Sequence, residues 1–256
     1  MCFSKKPNYK KGILYSECKE QLRPFDVIFF RGDALFSSVI SILEKYGNNL
    51  PESGEFSHVA MIIDSNVCIH ENILPGRLYI VESVIGGVFA HNVKDINNKV
   101  VYGVQIRDLE DVVKAFDKSN NTIVAWGKVG HNPLDVMPID VIRDKMTHFC
   151  NEYLGKTYDA NPVSLLSSVF PSLRKYRDSI ETVCHTKDWY FCSEIVAKIF
   201  KIFGIYPDTI NEKDVLPRDI IHPEVDIDRM PKVIETLTYI TTPIHQTINN
   251  KCISVS

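Results

Sequence analysis

Three residues with complementary chemistry stand far apart in the sequence. Cys192 lies in "YFCSEIVAKIF", His58 in "FSHVAMIID" and Glu82 in "LYIVESV". A cysteine is a strong nucleophile when it is ionised, and a histidine within hydrogen-bond reach can take up its proton. A carboxylate can then orient the imidazole. The three residue types are therefore the parts of a cysteine–histidine–acid triad.

The position of Cys192 favours this chemistry. Apolar residues at helical spacing predict a helix over residues 192–204 that begins at the cysteine and ends at a glycine. The apolar stripe of this helix comprises Ile195, Ile199, Ile202 and Phe203. A helix N-terminus stabilises a thiolate by about 0.3 to 2 kcal/mol, and its amides can bind an oxyanion. Because buried cysteines are common, Cys192 alone is better explained as a core residue.

His58 and Glu82 both fall in predicted buried strands. Strand alternation places His58, Ala60 and Ile62 on one face of the strand over residues 57–64. Glu82 interrupts an apolar strand over residues 78–84, so its charge needs either a partner or an edge position facing water. Each residue alone has a structural explanation, but the three together favour a triad, whose members meet only in the folded chain.

The remaining pattern predicts a mixed fold with strands first and helices later, which favours α+β over a parallel sheet. The further predicted strands cover residues 25–31, 87–93, 100–108 and 233–240. The further predicted helices cover residues 34–47 and 137–155. The stretch 110–135 lacks clear periodicity, and residues 163–188 are expected to form one or two short helices. Both 110–135 and 160–188 are predicted to be insertions.

Six short motifs occur in an order that matches a known family. They are "FDVIFFR", "FSHVAMII", "YIVESVIGGV", "LGKTYD", "YFCSEIV" and "LPRDI", and they run from about residue 24 to residue 220. In content and order they resemble the circularly permuted NlpC/P60 papain-like hydrolases, most closely the YiiX-like branch. The usual glycine of the histidine motif is replaced by Ala60.

The resemblance implies a papain-like core, in which the cysteine-bearing helix packs on a small antiparallel β-barrel or sheet. It implies that Cys192 is the nucleophile, that His58 is the general base and then the acid for the leaving group, and that Glu82 orients His58. It also implies that Tyr158, in "LGKTYD", lines the substrate site. The two insertions and the tail could reshape the pocket, so the substrates of relatives do not transfer directly.

The same resemblance suggests a division of the chain into three parts. Residues 1–23 are predicted to be an N-terminal arm, and residues 24–225 to be the catalytic domain with its insertions near 110–135 and 160–188. Residues 226–256 are predicted to be a C-terminal extension.

Composition excludes several other classes of protein. The formal net charge of −3 over 256 residues gives no electrostatic footprint for nucleic acid. The seven cysteines show no paired spacing, so reduced thiols and an intracellular, cytoplasmic location are expected. No apolar signal sequence or membrane span is apparent. Cys184, His185 and Cys192 lack the second pair of ligands that a zinc site needs, so no metal or cofactor is expected.

Three functions remain open from the sequence. The first is a cysteine hydrolase that cleaves an amide, such as a peptide or N-acyl bond. The second is an acyltransferase or lipid (thio)esterase that uses the same acyl-enzyme, although the "NCEHF"-type motif of that group is missing from the chain. The third is an inactive module that binds a lipid or peptide. The expected partner is therefore a peptide, amide or lipid-like acyl compound.

Overall fold

A computed structural model describes six segments of the chain. These segments are residues 8–31, 56–84, 93–117, 123–158, 189–222 and 230–241. Within them the protein is a mixed α+β structure built on one seven-stranded sheet, with a separate two-stranded ribbon.

The large sheet has the strand order β1-β9-β6-β2-β3-β4-β5. Its strands are β1 (Asn8–Leu14), β2 (Val27–Arg31), β3 (His58–Asp64), β4 (Leu78–Val84), β5 (Gly103–Asp108), β6 (Ile123–Val129) and β9 (Ile234–Thr241). Neighbouring strands are antiparallel except for β1 and β9, which are parallel. The ribbon pairs β7 (Thr157–Tyr158) with β8 (Trp189–Tyr190).

The sheet is covered on both faces, which explains why its central strands are apolar throughout. In β2, Val27 and Phe29 belong to one hydrophobic cluster, whereas Ile28 and Phe30 belong to another. This alternation follows the two-residue period of a strand.

Five helices accompany the sheet in the described segments. They are α1 (Tyr15–Cys18), α2 (Leu109–Asp117), α3 (Ile139–Tyr153), α4 (Cys192–Ile202) and α5 (Pro217–Ile221). Helix α4 packs against β3 and β4. Its residues Ile195 and Ile199 are fully buried, as the apolar stripe predicts. The strands and helices predicted over residues 25–31, 57–64, 78–84, 100–108, 137–155, 192–204 and 233–240 are thus confirmed.

The stretch 110–135, which lacks clear periodicity in the sequence, contains regular elements. Helix α2 covers part of this stretch, and β6 is an interior strand of the sheet that pairs with both β2 and β9. The alternation that marks a half-buried strand is missing because four consecutive residues of β6, 124–127, are buried. A strand covered on both faces has no two-residue polarity pattern. The motif "LPRDI" forms most of α5.

Both ends of the chain contribute strands to this sheet. Strand β1 lies in the predicted N-terminal arm, β9 lies in the predicted C-terminal extension, and the two pair with each other. Residues 8–14 and 234–241 are therefore part of the central sheet, although the motif order places them outside the catalytic domain. The helix expected over residues 34–47 and the insertion expected over 160–188 lie outside the described residues, as does most of the strand expected over 87–93.

A close backbone contact fixes the ribbon beside the sheet. Gly103, at the start of β5, has a φ of 135°, and a Cβ atom there would lie 1.9 Å from the carbonyl oxygen of Lys156. Glycine is therefore required. The amide of Val104 donates to the Lys156 carbonyl at 2.8 Å, and the amide of Gly155 donates to the Val104 carbonyl at 2.8 Å. These contacts hold the segment that leads into β7.

Asp26 joins β2 to β6 through a buried carboxyl group. This side chain is 1 % exposed. It accepts hydrogen bonds from the indole Nε1 of Trp126 at 2.9 Å, the amide of Val129 at 3.0 Å and the amide of Arg23 at 3.2 Å. Burial raises the pKa of Asp26 to about 6, although the three N–H donors act in the opposite direction.

We predict that Asp26→Ala destabilises the protein by about 3 kcal/mol, because it leaves buried N–H donors without an acceptor. The measurement is the free energy of unfolding in urea. Asp135→Ala is the matched control, since Asp135 also binds Arg23 but is half-exposed. This control should change the free energy little. Equal losses in both variants would contradict the role given to Asp26.

Candidate active site

His58 and Glu82 form a buried pair on adjacent strands. Nε2 of His58 lies 2.6 Å from Oε2 of Glu82, and the two side chains are 2 % and 0 % exposed. Strands β3 and β4 pair with Met61 opposite Val81. Continuing this register places Glu82 opposite Ala60, so that His58 and Glu82 are diagonal neighbours on one face. The shared strand period thus brings the predicted base and acid into contact.

Cys192 completes this group from the first position of α4. Its side chain lies beside the imidazole of His58, close enough to raise the pKa of that imidazole. Because Nε2 of His58 is engaged with Glu82, Nδ1 is the ring nitrogen left for the sulfur. The structure therefore brings together all three residues of the predicted triad, which are separated by up to 134 positions in the sequence.

The charges around His58 favour its protonated form. Burial alone would lower the pKa of His58, but the negative charge and hydrogen bond of Cys192, followed by those of Glu82, raise it to about 9. An imidazolium at neutral pH can donate one N–H to the carboxylate and the other to the sulfur. A protonated imidazole beside the sulfur is the arrangement that activation of a thiol needs.

Arg107 is a fourth member of the site, and the sequence interpretation missed it. Its Nε donates to Oε1 of Glu82 at 2.5 Å, and its side chain is 2 % exposed. Burial alone would raise the pKa of Glu82, but the charge of Arg107 and then the hydrogen bond of His58 lower it to about 2. Glu82 is therefore ionised at neutral pH, with one oxygen held by Arg107 and the other by His58.

A signal for Arg107 is present in the sequence. Strand β5 carries Gln105 and Arg107 on the same side of an otherwise apolar run. The register pairs Gln105 with Glu82, which makes Arg107 a diagonal neighbour of the acid. A buried carboxylate and a buried guanidinium each require an opposite charge, so the pairing of these two strands could have been inferred from charge.

Two serines fix the helix N-terminus against its surroundings. The hydroxyl of Ser83, next to Glu82, donates to the carbonyl of Tyr190 at 2.6 Å. The hydroxyl of Ser193 donates to the carbonyl of Val215 at 2.7 Å. The first of these bonds joins β4, which carries Glu82, to the segment that leads into α4. It therefore fixes the position of Cys192 relative to Glu82.

The first turn of α4 also contains a buried carboxyl group. Glu194 is 1 % exposed, and its Oε2 accepts from the amide of Phe191 at 3.4 Å. Burial raises the pKa of Glu194 to about 8, although Lys198 and Lys213 act in the opposite direction. At neutral pH this carboxyl is therefore mostly uncharged, and it adds little negative charge near the sulfur.

The first-turn amides of α4 have no acceptor within the helix, as at any helix start. The side chain of Glu194 accepts a hydrogen bond from the Phe191 amide. The next three amides, those of Cys192, Ser193 and Glu194, are the ones that an α-helix leaves without a carbonyl acceptor of its own. An oxyanion formed beside the sulfur would lie close to these donors.

Tyr158, the predicted substrate-binding residue, lies next to this helix start. Strand β7 pairs Tyr158 with Tyr190, and its ring meets the ring of Phe191 edge-on at 6.0 Å. Tyr158 is 7 % exposed. Tyr158 therefore contacts the two residues that precede Cys192. Its contact with a substrate stays a prediction.

A polar cavity of about 780 Å³ lies elsewhere, along β4, β5 and α2. Arg77, Asp108 and Lys114 are among its lining residues, and none of the triad residues lines it. Enzyme sites are usually in cavities, but among the described residues no cysteine, serine or threonine lines this one. The geometry of the triad is thus the stronger indicator of a site.

In the described segments no group of three or more His, Cys, Asp and Glu side chains is placed to hold a metal ion. Cys184 and His185, considered above as zinc ligands, lie outside those segments. Among the helices described, none is both long and apolar enough to cross a membrane.

No protein-family model matches the chain, and no curated protein matches it significantly. The resemblance to the permuted NlpC/P60 hydrolases therefore rests on the six motifs alone.

We predict that Arg107→Met lowers the free energy of unfolding by about 3 to 5 kcal/mol at pH 7, because Glu82 is left buried without its cation. Adding Glu82→Gln removes the unpaired charge, so the double variant should be more stable than the sum of the single effects. Urea unfolding of the four proteins measures this coupling. Strictly additive losses would show that the two side chains do not act as a pair.

We also predict that Cys192→Ala lowers the pKa of His58 from about 9, because Cys192 is the strongest of the groups that raise it. The measurement is an NMR titration of the imidazole resonances. Cys18→Ala is the matched control, since Cys18 is buried with a different hydrophobic cluster. An unchanged His58 titration in Cys192→Ala would refute the contact between sulfur and imidazole.

Proposed function

We propose that this protein is a cysteine-dependent hydrolase that cleaves an amide bond, such as a peptide or N-acyl bond, through an acyl-enzyme. The observation that carries the proposal is the position of His58. Its ring lies between the thiol of Cys192 and the carboxylate of Glu82, at the N-terminus of a helix. A cysteine with a purely structural role does not require a histidine that is paired with a carboxylate beside it.

The first chemical step follows from this geometry. The sulfur of Cys192 attacks the acyl carbon, and the carbonyl oxygen becomes an oxyanion near the first-turn amides of α4. The His58 imidazolium then gives a proton to the leaving amine, and the bond between acyl carbon and nitrogen breaks. The product is a thioester on Cys192.

The second step restores the enzyme. His58, now neutral, takes a proton from water, and the hydroxide attacks the thioester carbon. The bond between acyl carbon and sulfur then breaks, the carboxylic acid leaves, and the thiolate of Cys192 again faces the protonated His58. Glu82 stays ionised throughout, because Arg107 and His58 lower its pKa to about 2. Its role is to keep Nε2 protonated and Nδ1 facing the sulfur.

The motif resemblance supports a papain-like, permuted NlpC/P60 arrangement for this site. Consistent with this proposal, the cysteine helix α4 packs against the strands that carry His58 and Glu82. An intracellular location is proposed with it, because the cysteines in the described segments are free thiols.

We predict that iodoacetamide labels Cys192 at pH 6 faster than it labels a free thiol such as N-acetylcysteine in the same solution. His58→Ala should abolish this advantage, because the proton acceptor is lost. Peptide mapping by mass spectrometry measures labelling at Cys192. If wild-type Cys192 reacts no faster than N-acetylcysteine, the protein is a binding module and not an enzyme.

A panel of acyl substrates then tests the bond that is cleaved. Hydrolysis should be lost in Cys192→Ala and reduced by about 10²- to 10⁴-fold in His58→Ala. Asp135→Ala, a surface variant, is the control and should keep wild-type activity. Transfer of the acyl group to an added amine in preference to water, or turnover of esters alone, would identify an acyltransferase or a (thio)esterase and overturn the amidase proposal.

A further inference from the structure

A second pair of sulfur atoms lies outside the candidate active site. The Sγ atoms of Cys68 and Cys150 are 3.6 Å apart, within hydrogen-bond distance for thiols. Cys68 follows the turn at the end of β3 that is remote from His58, and Cys150 lies in the last turns of α3. Both are free cysteines.

The backbone on each side of this pair is already fixed. The amide of Cys68 donates to the carbonyl of Asp64 at 3.0 Å, and the side chain of Asp64 accepts from the amide of Asn66 at 2.9 Å. From α3, Nε of Arg143 donates to the carbonyl of Asn66 at 2.8 Å. Arg143 and Cys150 are two helical turns apart and so share a helix face. The helix and the turn are therefore held together independently of the sulfurs.

The two thiols differ in their acidity and access. The hydrogen bond from Cys150 lowers the pKa of Cys68, and the same bond raises the pKa of Cys150. Cys68 is 1 % exposed, whereas Cys150 is half-buried. A thiolate with a neighbouring thiol that can resolve its oxidised form is the arrangement of a redox-sensitive pair.

We propose that Cys68 and Cys150 are a dithiol that a hydroperoxide oxidises to an intramolecular disulfide, which clamps α3 to the end of β3. A sulfur–sulfur bond is about 2.05 Å long, so the two atoms, now 3.6 Å apart, must move closer by about 1.5 Å. The site is independent of the proposed hydrolase, because His58 lies at the opposite end of β3.

The oxidation balances in two steps. The Cys68 thiolate attacks one peroxide oxygen, the O–O bond breaks, and a sulfenic acid forms while the other oxygen leaves as an alcohol or, from hydrogen peroxide, as water. The sulfur of Cys150 then attacks the sulfenic sulfur. The S–S bond forms, and the hydroxyl leaves as water with the proton of the Cys150 thiol. Two thiols and one hydroperoxide thus give one disulfide.

The disulfide is expected to stabilise the fold without blocking the triad. It would join residues 82 positions apart, and bonds that close long loops restrict the unfolded chain most. The expected rise in Tm is about 10 °C for a loop and domain of this size. Since cytosolic disulfides are usually transient, the clamp would form under oxidative conditions and open when a thiol reductant returns.

The test uses the full chain in the Cys192→Ala background, so that the candidate nucleophile does not consume peroxide. The protein is treated with hydrogen peroxide, alkylated in denaturant and digested without reduction. We expect a linked peptide that contains Cys68 and Cys150, an intact mass lower by two hydrogens, and the rise in Tm, all reversed by dithiothreitol. Cys68 and Cys150 that remain alkylatable, or linked preferentially to other cysteines, would overturn the proposal.

Matched variants separate the dithiol from general oxidation. In Cys150→Ala the linked peptide should be absent, and dimedone, which traps sulfenic acids, should label Cys68. In Cys18→Ala the linked peptide should form as before. If the disulfide forms but the Tm does not rise, the proposal that it clamps α3 to the end of β3 is wrong. If Cys150→Ala does not fold, the peptide map of the Cys192→Ala protein still decides the question.

Discussion

The carboxylate of Glu82 imposes the strongest physical constraint on this structure. An ionised side chain with no exposed surface is costly unless each of its oxygens has a charged or hydrogen-bonded partner. Arg107 satisfies one oxygen and His58 the other. Three adjacent strands, β3, β4 and β5, must therefore keep one register. A slip of one residue would turn these side chains to the opposite face.

The same constraint determines how His58 is oriented toward the candidate nucleophile, Cys192. Arg107 keeps Glu82 ionised, Glu82 holds one nitrogen of His58, and the other nitrogen is thereby turned toward Cys192. Electrostatic contacts thus link four side chains, which come from three strands and one helix. The bond from Ser83 to Tyr190 adds a mechanical link between the acid strand and the entry to α4. The rigidity of the group comes from the sheet, and the helix start supplies the position of Cys192.

The dithiol and the triad lie at opposite ends of β3, and this separation gives them different physical roles. At one end, buried charges are balanced against each other beside the sulfur of Cys192. At the other end, two sulfurs hydrogen-bond to one another beside a turn that Asp64 and Arg143 already fix. A covalent bond at the second end would restrain α3 relative to the sheet, and it would leave the charge network unchanged.

The sequence by itself determined the type of most elements and the identity of the triad residues. Local periodicity predicted β2, β3, β4, β5, α3, α4 and β9, because the apolar residues of each segment are spaced as a buried strand or a helix requires. It also placed Cys192 at a helix start. It missed β6, whose consecutive buried residues carry no two-residue pattern, and it assigned β1 and β9 to flanking segments, because pairing between distant strands leaves no local signal. Only the tertiary structure decided that Arg107 neutralises Glu82, that Ser83 binds the segment before Cys192, and that Cys68 meets Cys150. These contacts join residues far apart in the chain, and they depend on sheet order and register, which propensity and spacing do not specify.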